Sequence, residues 1–211
     1  SLAEAPSRRL GIVSTSDEIN LPPIADAGGP YNASEGRTLS LSASNSHDPN
    51  GDSLTYRWDL DGDGNWDTDW STSPMTSKAW TDDWIGGTVT VEVSDGNLTD
   101  TASASVSITN SPPTVEAGPD ITAAPNHTVQ FSGNFSDAGS SDQHTFGWDF
   151  GDGTYSTGTL TPSHEYALPK RYVVTLNVTD DDGDTAADTL IVNTALKITI
   201  DPPTTVTPTR G

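Results

Sequence analysis

Cysteine is absent from the 211 residues, which excludes thiolate catalysis, zinc knuckles and disulfide staples. Bases are nearly as scarce: three Lys and six Arg stand against 24 Asp and six Glu, for a formal net charge of −21. Phosphate backbones and anionic bilayers repel such a chain, so neither a nucleic-acid partner nor direct membrane insertion is expected. No apolar run approaches the roughly 18 residues that a bilayer-spanning segment needs. Arg8 and Arg9 precede only the short run Leu10 to Val13, so no secretory signal is expected there, and the chain reads as a mature fragment of a longer protein. Large apolar residues are few as well. Leu, Ile, Val and Phe total 38, or 18%, a composition that with this charge borders on intrinsic disorder.

Six Trp residues argue against disorder, and charged residues make up only 18% of the chain. Polarity comes mainly from 54 Ser and Thr, and the excess of Asp over Glu favours turns and metal-binding loops over helices. The sequence also repeats itself. Asn20-Leu21-Pro22-Pro23-Ile24-Ala25-Asp26-Ala27-Gly28 returns as Asn110-Ser111-Pro112-Pro113-Thr114-Val115-Glu116-Ala117-Gly118, and Trp58-Asp59 returns as Trp148-Asp149, both 90 positions on. A period that long indicates tandem domains rather than a solenoid. Each Pro-Pro pair is unable to continue a ladder and marks a boundary, and the link from Thr109 to Pro113 is short and stiff.

Within each copy the apolar period is two. Leu39/Leu41/Ala43, Leu54/Tyr56/Trp58, Val89/Val91/Val93 and Ala104/Val106/Ile108 each line one face of the first copy. Val129/Phe131, Phe146/Trp148/Phe150, Val174/Leu176/Val178 and Leu190/Val192 do so in the second. Short alternating strands separated by Gly, Asp, Asn and Ser turns predict a β-sandwich with room for about seven strands per copy.

Trp148-Asp149-Phe150-Gly151-Asp152-Gly153 resembles the signature of the polycystic-kidney-disease (PKD) repeat. The Pro-Pro opening, Pro162-Ser163-His164-Glu165-Tyr166 and the closing strand Tyr172 to Val178 followed by Thr179-Asp180 resemble its other landmarks. The first copy departs from the pattern: it reads Trp58-Asp59-Leu60-Asp61-Gly62-Asp63-Gly64 and has Trp80 where His-x-Tyr would end. The resemblance implies an all-β chain of two tandem immunoglobulin-like β-sandwich domains, at 20–110 and 111–195. Residues 1–19 then read as an N-terminal linker, in which Arg9 to Ser14 offers an edge strand. Residues 196–211 read as a C-terminal linker or the start of a further domain.

The densest acidic constellation is Asp59-Leu60-Asp61-Gly62-Asp63-Gly64-Asn65-Trp66-Asp67. Acids at positions 1, 3, 5 and 9 with Gly at 6 reproduce the start of a calcium loop, in which alternate carboxylates converge on one hard cation and Asn65 adds its carbonyl. Trp70 stands where the acid of position 12 belongs, so the cage is incomplete. The alternative reading is a hairpin turn of solvated carboxylates. A second constellation follows from the family resemblance, which implies calcium at the domain entrance. Asn20, Asp48 and Asp95 would hold it in the first copy; Asn110, Asp137 and Asp180 or Asp181 would hold it in the second. Asx-turns are the alternative there. The Asp149 and Asp152 carboxylates read better as turn-holding acceptors than as ligands.

Trp58 and Trp148 are expected in the core. Trp66, Trp70, Trp80 and Trp84 read first as packing and second as an exposed aromatic strip for sugars or a partner. Asn-x-Ser/Thr sequons at Asn32, Asn97, Asn126, Asn134 and Asn177 point weakly to a glycosylated surface. No nucleophile elbow, H-E-x-x-H pair or phosphate loop is present, so no enzyme is expected. The expected role is a calcium-stiffened spacer or interaction stalk of an extracellular, cell-surface protein of surface-layer type. Its partners would be other cell-surface proteins or neighbouring subunits. The alternative is an accessory module of a secreted hydrolase that binds collagen, chitin or another polysaccharide.

Overall fold

A computed structural model describes residues 19–194, every regular element of which is a strand. The terminal linkers expected at either end, with the strand at Arg9 to Ser14, lie outside the described residues. The first copy contributes β1 (Tyr31–Ser34), β2 (Thr38–Ser42), β3 (Thr55–Asp59), β4 (Met75–Ala79), β5 (Trp84–Ser94) and β6 (Thr99–Thr109). The second contributes β7 (Thr114–Glu116), β8 (Ile121–Thr122), β9 (Thr128–Gln130), β10 (Asn134–Ser136) and β11 (Thr145–Asp149). It continues with β12 (Tyr155–Thr157), β13 (Ser163–Glu165), β14 (Arg171–Thr179) and β15 (Thr185–Asn193).

One four-stranded sheet runs β1-β6-β5-β3, with β2 and β4 paired opposite. One five-stranded sheet runs β12-β11-β14-β15-β8, with the pairs β10-β7 and β13-β9 completing the second copy. In both copies an early strand lies parallel to the last: Tyr31 to Ser34 pair with Val106 to Thr109, and Ile121 and Thr122 pair with Val192 and Asn193. The chain is thus all-β, with two sandwich-like domains. Contacts gather the described residues into two compact units. One holds the residues up to Gly29 with Leu41–Thr76 and Thr88–Ala104; the other holds Pro30–Ser40, Ser77–Gly87 and the residues from Ser105 on. Two segments of the first copy therefore belong to the second unit.

The alternating positions are the buried ones. Leu41, Ala43, Val89, Val91, Val93, Val106 and Ile108 are buried in the first copy; Val129, Phe131, Val174, Leu176, Val178, Leu190 and Val192 are buried in the second. Trp58 on β3, at the end of its sheet, and Trp148 on β11, between β12 and β14, are all but inaccessible, as the period-two pattern predicts. Leu39, Leu54 and Phe146 are half-buried at the rims. The second core is aromatic: Phe131 packs on Trp148 and Phe150 with centroids 5.2 and 5.4 Å apart, and Tyr166 packs on Tyr172 at 4.2 Å. Buried Tyr166 donates its hydroxyl to the Phe150 carbonyl (3.1 Å), tying β13's exit to the turn after β11. Such aromatic pairs add about 1 kcal/mol each beyond the area they bury, which matters in a chain short of aliphatic residues.

The turn after β11 depends on Gly151. Its φ is +74°, and a β-carbon there would overlap the Val173 carbonyl oxygen. Gly153 has φ +94° but open space around it. Gly151→Ala is therefore expected to destabilise the chain by about 3 kcal/mol, combining left-handed strain with overpacking, and Gly153→Ala by only about 1 kcal/mol. Urea denaturation of the two variants tests the difference; equal losses would contradict the close-approach account.

Candidate metal centres

Asp59 ends β3 and is buried; the following turn folds around its carboxylate. Its Oδ1 accepts from the Gly62 and Asp61 amides (2.7 and 3.3 Å), and its Oδ2 accepts from Gly64 N–H (2.9 Å). Gly62 and Gly64 both have positive φ, +71° and +86°, which lets successive amides point inward. Asp67 closes the loop by accepting from Leu60 N–H (2.6 Å), and its own amide donates to the Trp58 carbonyl (2.8 Å). One oxygen each of Asp59, Asp61 and Asp67 lies within 4.8 Å of the others. Asp63 turns to its neighbour instead, accepting from the Asn65 amide (2.7 Å) and side chain (3.0 Å). The loop thus assembles three of the sequence-derived acids and supplies much of its own charge compensation through backbone N–H groups.

At the entrance of the first copy, Asn20 Nδ2 donates to Asp95 Oδ2 (2.9 Å). Asp48 Oδ1 accepts from the amides of Asn50 and Asp52, and Asn50 Oδ1 accepts from Leu21 N–H, which anchors the incoming chain. Asp48, Asp52 and Asp95 bring one oxygen each within 4.8 Å of one another. Backbone hydrogen bonds from Leu98 and Asn97 hold the Asp95 carboxyl below its ordinary range, so it stays ionised. Asp48 Oδ2 is buried without a hydrogen-bond partner, an orphan oxygen that suits an oxygen-seeking cation. Asp52 escaped the sequence reading because in isolation it is one more turn acid.

The second entrance repeats the theme with different partners. Asn110 Nδ2 donates to Asp180 Oδ2 and to Asp184 Oδ2, both at 3.1 Å, while Asn110 Oδ1 is buried without a partner. Burial works to raise the Asp180 pKa, but hydrogen bonds from Asn110, Asp184 and Gly183 outweigh it and leave the carboxyl below its ordinary range. Asp137 faces His144, with Oδ2 and Nε2 2.8 Å apart, and groups with His144 and Asp142. Asp181 accepts from the Gln143 amide (2.9 Å). Asp184, Asp142 and His144 were not singled out in the sequence.

A further acidic group has no counterpart in the sequence reading. Glu35 sits in the β1–β2 turn and is completely buried; Asp142 lies in the β10–β11 loop and is 8% exposed. Glu35 Oε1 accepts from Ser111 N–H (2.7 Å), but its Oε2 and both Asp142 oxygens have no hydrogen-bond partner. With Asp82, which is exposed, these two acids bring one oxygen each within 4.8 Å of one another. Burial, then the charges of Asp137, Asp82, Asp181 and Asp182, push the Asp142 carboxyl up to about 6. Glu35 is raised too, chiefly by burial.

The four Trp residues of the divergent segment form two pairs. Trp66 and Trp70 flank the Arg57 guanidinium, each ring centre 4.7 Å away, and Arg57 Nε donates to Glu92 (2.6 Å). Trp80 is buried beside Trp84 at 6.2 Å. In the WDFGDG turn, Asp149 accepts from Gly151 N–H (2.8 Å). Asp152 accepts from the Thr154 amide and hydroxyl, with His164 Nε2 2.7 Å from its other oxygen.

A family model described as PKD domain matches residues 20–109 and again 110–194. Among solved structures, the PKD1 domain of Vibrio anguillarum Epp is 26% identical, with 41% of this chain and 98% of that chain covered and a TM-score of 0.35. DIP-gamma IG1+IG2 is 8% identical, with 82% and 97% covered and a TM-score of 0.39. The N-terminal four Ig domains of Dscam1 isoform 6.9 are 10% identical, with 82% and 46% covered and a TM-score of 0.45.

A carboxyl raised in the folded state binds its proton more tightly there than in the unfolded chain, where it titrates near 4. Its contribution to stability is complete below about pH 4 and is lost as pH rises through about 6. In chelator, the native chain should therefore lose melting temperature between pH 4 and 6.5 more steeply than Asp142→Asn, whose amide does not ionise. Parallel curves in calorimetry would show that Asp142 titrates normally.

Proposed function

The chain belongs to the PKD domain family, which it carries twice in tandem, and from that premise we propose that it is a non-catalytic extracellular spacer or protein–protein interaction stalk stiffened by calcium. The observation that carries this reading is the matched pair of entrances. In each, the Asn that opens the repeat reaches an Asp of the loop closing the last hairpin; the orphaned buried oxygen is on Asp48, grouped with Asp95, in the first and on Asn110 itself in the second. A hard cation there would neutralise the crowded carboxylates and fasten the incoming link to the loops of its own repeat. Cell-surface placement, of surface-layer type, accords with the low pI near 4.1 and the sequons. Neighbouring subunits or other surface proteins are the fitting partners, since recognition would rest on stiff, acidic, hydroxyl-rich faces.

The entrance residues Asn20, Asp48, Asp95, Asn110 and Asp180 would supply the ligands, and the Asp59–Asp67 loop a further weak site. A second reading, an accessory module that binds collagen or a polysaccharide, draws on Trp70, which is 42% exposed beside Arg57. Retention on insoluble collagen, chitin or cellulose, lost on Trp70→Ala, would favour it.

Calcium in hundredfold excess over its Kd should stabilise the fold by about 2.7 kcal/mol per site, because only the folded chain assembles the ligands. The melting temperature is expected to rise accordingly between EDTA and millimolar calcium. Asp48→Asn with Asp95→Asn should remove the first-entrance share of that rise. Identical melting curves with and without calcium would sink the metal reading.

A further inference from the structure

Glu35, Asp82 and Asp142 all lie inside the second compact unit, although the first two belong to the first repeat and the third to the second. The backbone brings them together closely. Glu35 N–H donates to the Thr109 carbonyl (3.1 Å), Gly36 N–H donates to the Trp80 carbonyl (2.7 Å), and Ser141 N–H donates to the Thr81 carbonyl (3.0 Å). Gly36, at φ +66°, lies against Ala138, where a β-carbon would come 2.7 Å from the Ala138 carbonyl oxygen. Within this frame three carboxylate oxygens without a hydrogen-bond partner, one on Glu35 and two on Asp142, are shut away from water.

Neither Glu35 nor Asp142 forms an ion pair among the described residues, and His144, which groups with Asp142, is engaged by Asp137. A buried carboxylate oxygen that no donor or base reaches is stable only beside a cation or when its group is the neutral acid. We propose that Glu35, Asp82 and Asp142 form a calcium site separate from the two entrances, one that joins the first repeat's β1–β2 and β4–β5 turns to the second repeat's β10–β11 loop. The donors are all oxygen, which selects a hard cation. The exposure of Asp82 opens the site to water, which completes a coordination shell of six to eight. The site deepens the calcium reading above and rests on it: binding here locks the two repeats to one another, whereas the entrances fasten each repeat to its own link.

Calorimetric titration of the full chain with calcium chloride tests the assignment. Glu35→Gln with Asp142→Asn keeps the shapes and removes the charges; it should bind one calcium fewer than the native chain. Asp82→Asn, at an exposed position that leaves the fold intact, should weaken that same site about tenfold. Asp48→Asn with Asp95→Asn should lose a different equivalent. The proposal is overturned if Glu35→Gln/Asp142→Asn and Asp82→Asn both keep the native stoichiometry and affinities. Such a result, with a flattened pH dependence alone, would mean that Glu35 and Asp142 share a proton instead. If the native chain binds no calcium at all, the entrance reading fails with it.

Discussion

A carboxylate that leaves bulk water must meet a donor, a base or a cation, and most turns among the described residues hold one. With nine bases for 30 acids, ion pairing is unable to supply the compensation. The backbone does so instead. Asp59 collects three amides, Asp95 two and Asp180 two, so each acid organises the loop around it. The same interaction that neutralises the acids also shapes the turns, which is why Asp rather than Glu dominates: the shorter side chain reaches its own neighbouring N–H groups. The orphan carboxylate oxygens are those that no donor reaches: one each on Asp48 and Glu35, and both on Asp142.

The sandwich needs little apolar material because that material is placed on two inward faces and filled out with aromatic rings. Positions two apart along β3, β5, β11 and β14 were readable as core directly from the alternation, and so was the tandem arrangement, since a 90-residue echo has no other simple cause. Phe131, Trp148 and Phe150 form one contiguous packing group. Tyr166 and Tyr172 extend the same core, and neither stood out by periodicity, because Tyr166 follows a three-residue strand too short to show one.

The acids were legible only in part, for a physical reason. Asp59, Asp61 and Asp67 lie in one turn, and spacing along the chain is enough to bring them together. Asp48 and Asp95, or Asn110 and Asp180, converge through the sheet topology, and the family pattern rather than local spacing pointed to them. Glu35 had neither signal. A single Glu in a four-residue turn looks like a solvated surface acid; it is buried because Ser111 N–H and the Asp142 loop close over it. The Trp cluster reads first as packing; strand alternation and the intervening turns sort it into a pair around Arg57 and a pair at Trp80.

The parallel pairing of an early strand with the last strand has a mechanical meaning. Tension along the chain draws β1 toward its start and β6 toward its end, so the two slide against each other and the ladder is loaded all at once rather than unzipped one bond at a time. Among the described residues the first repeat sets four residue pairs against that sliding and the second sets two.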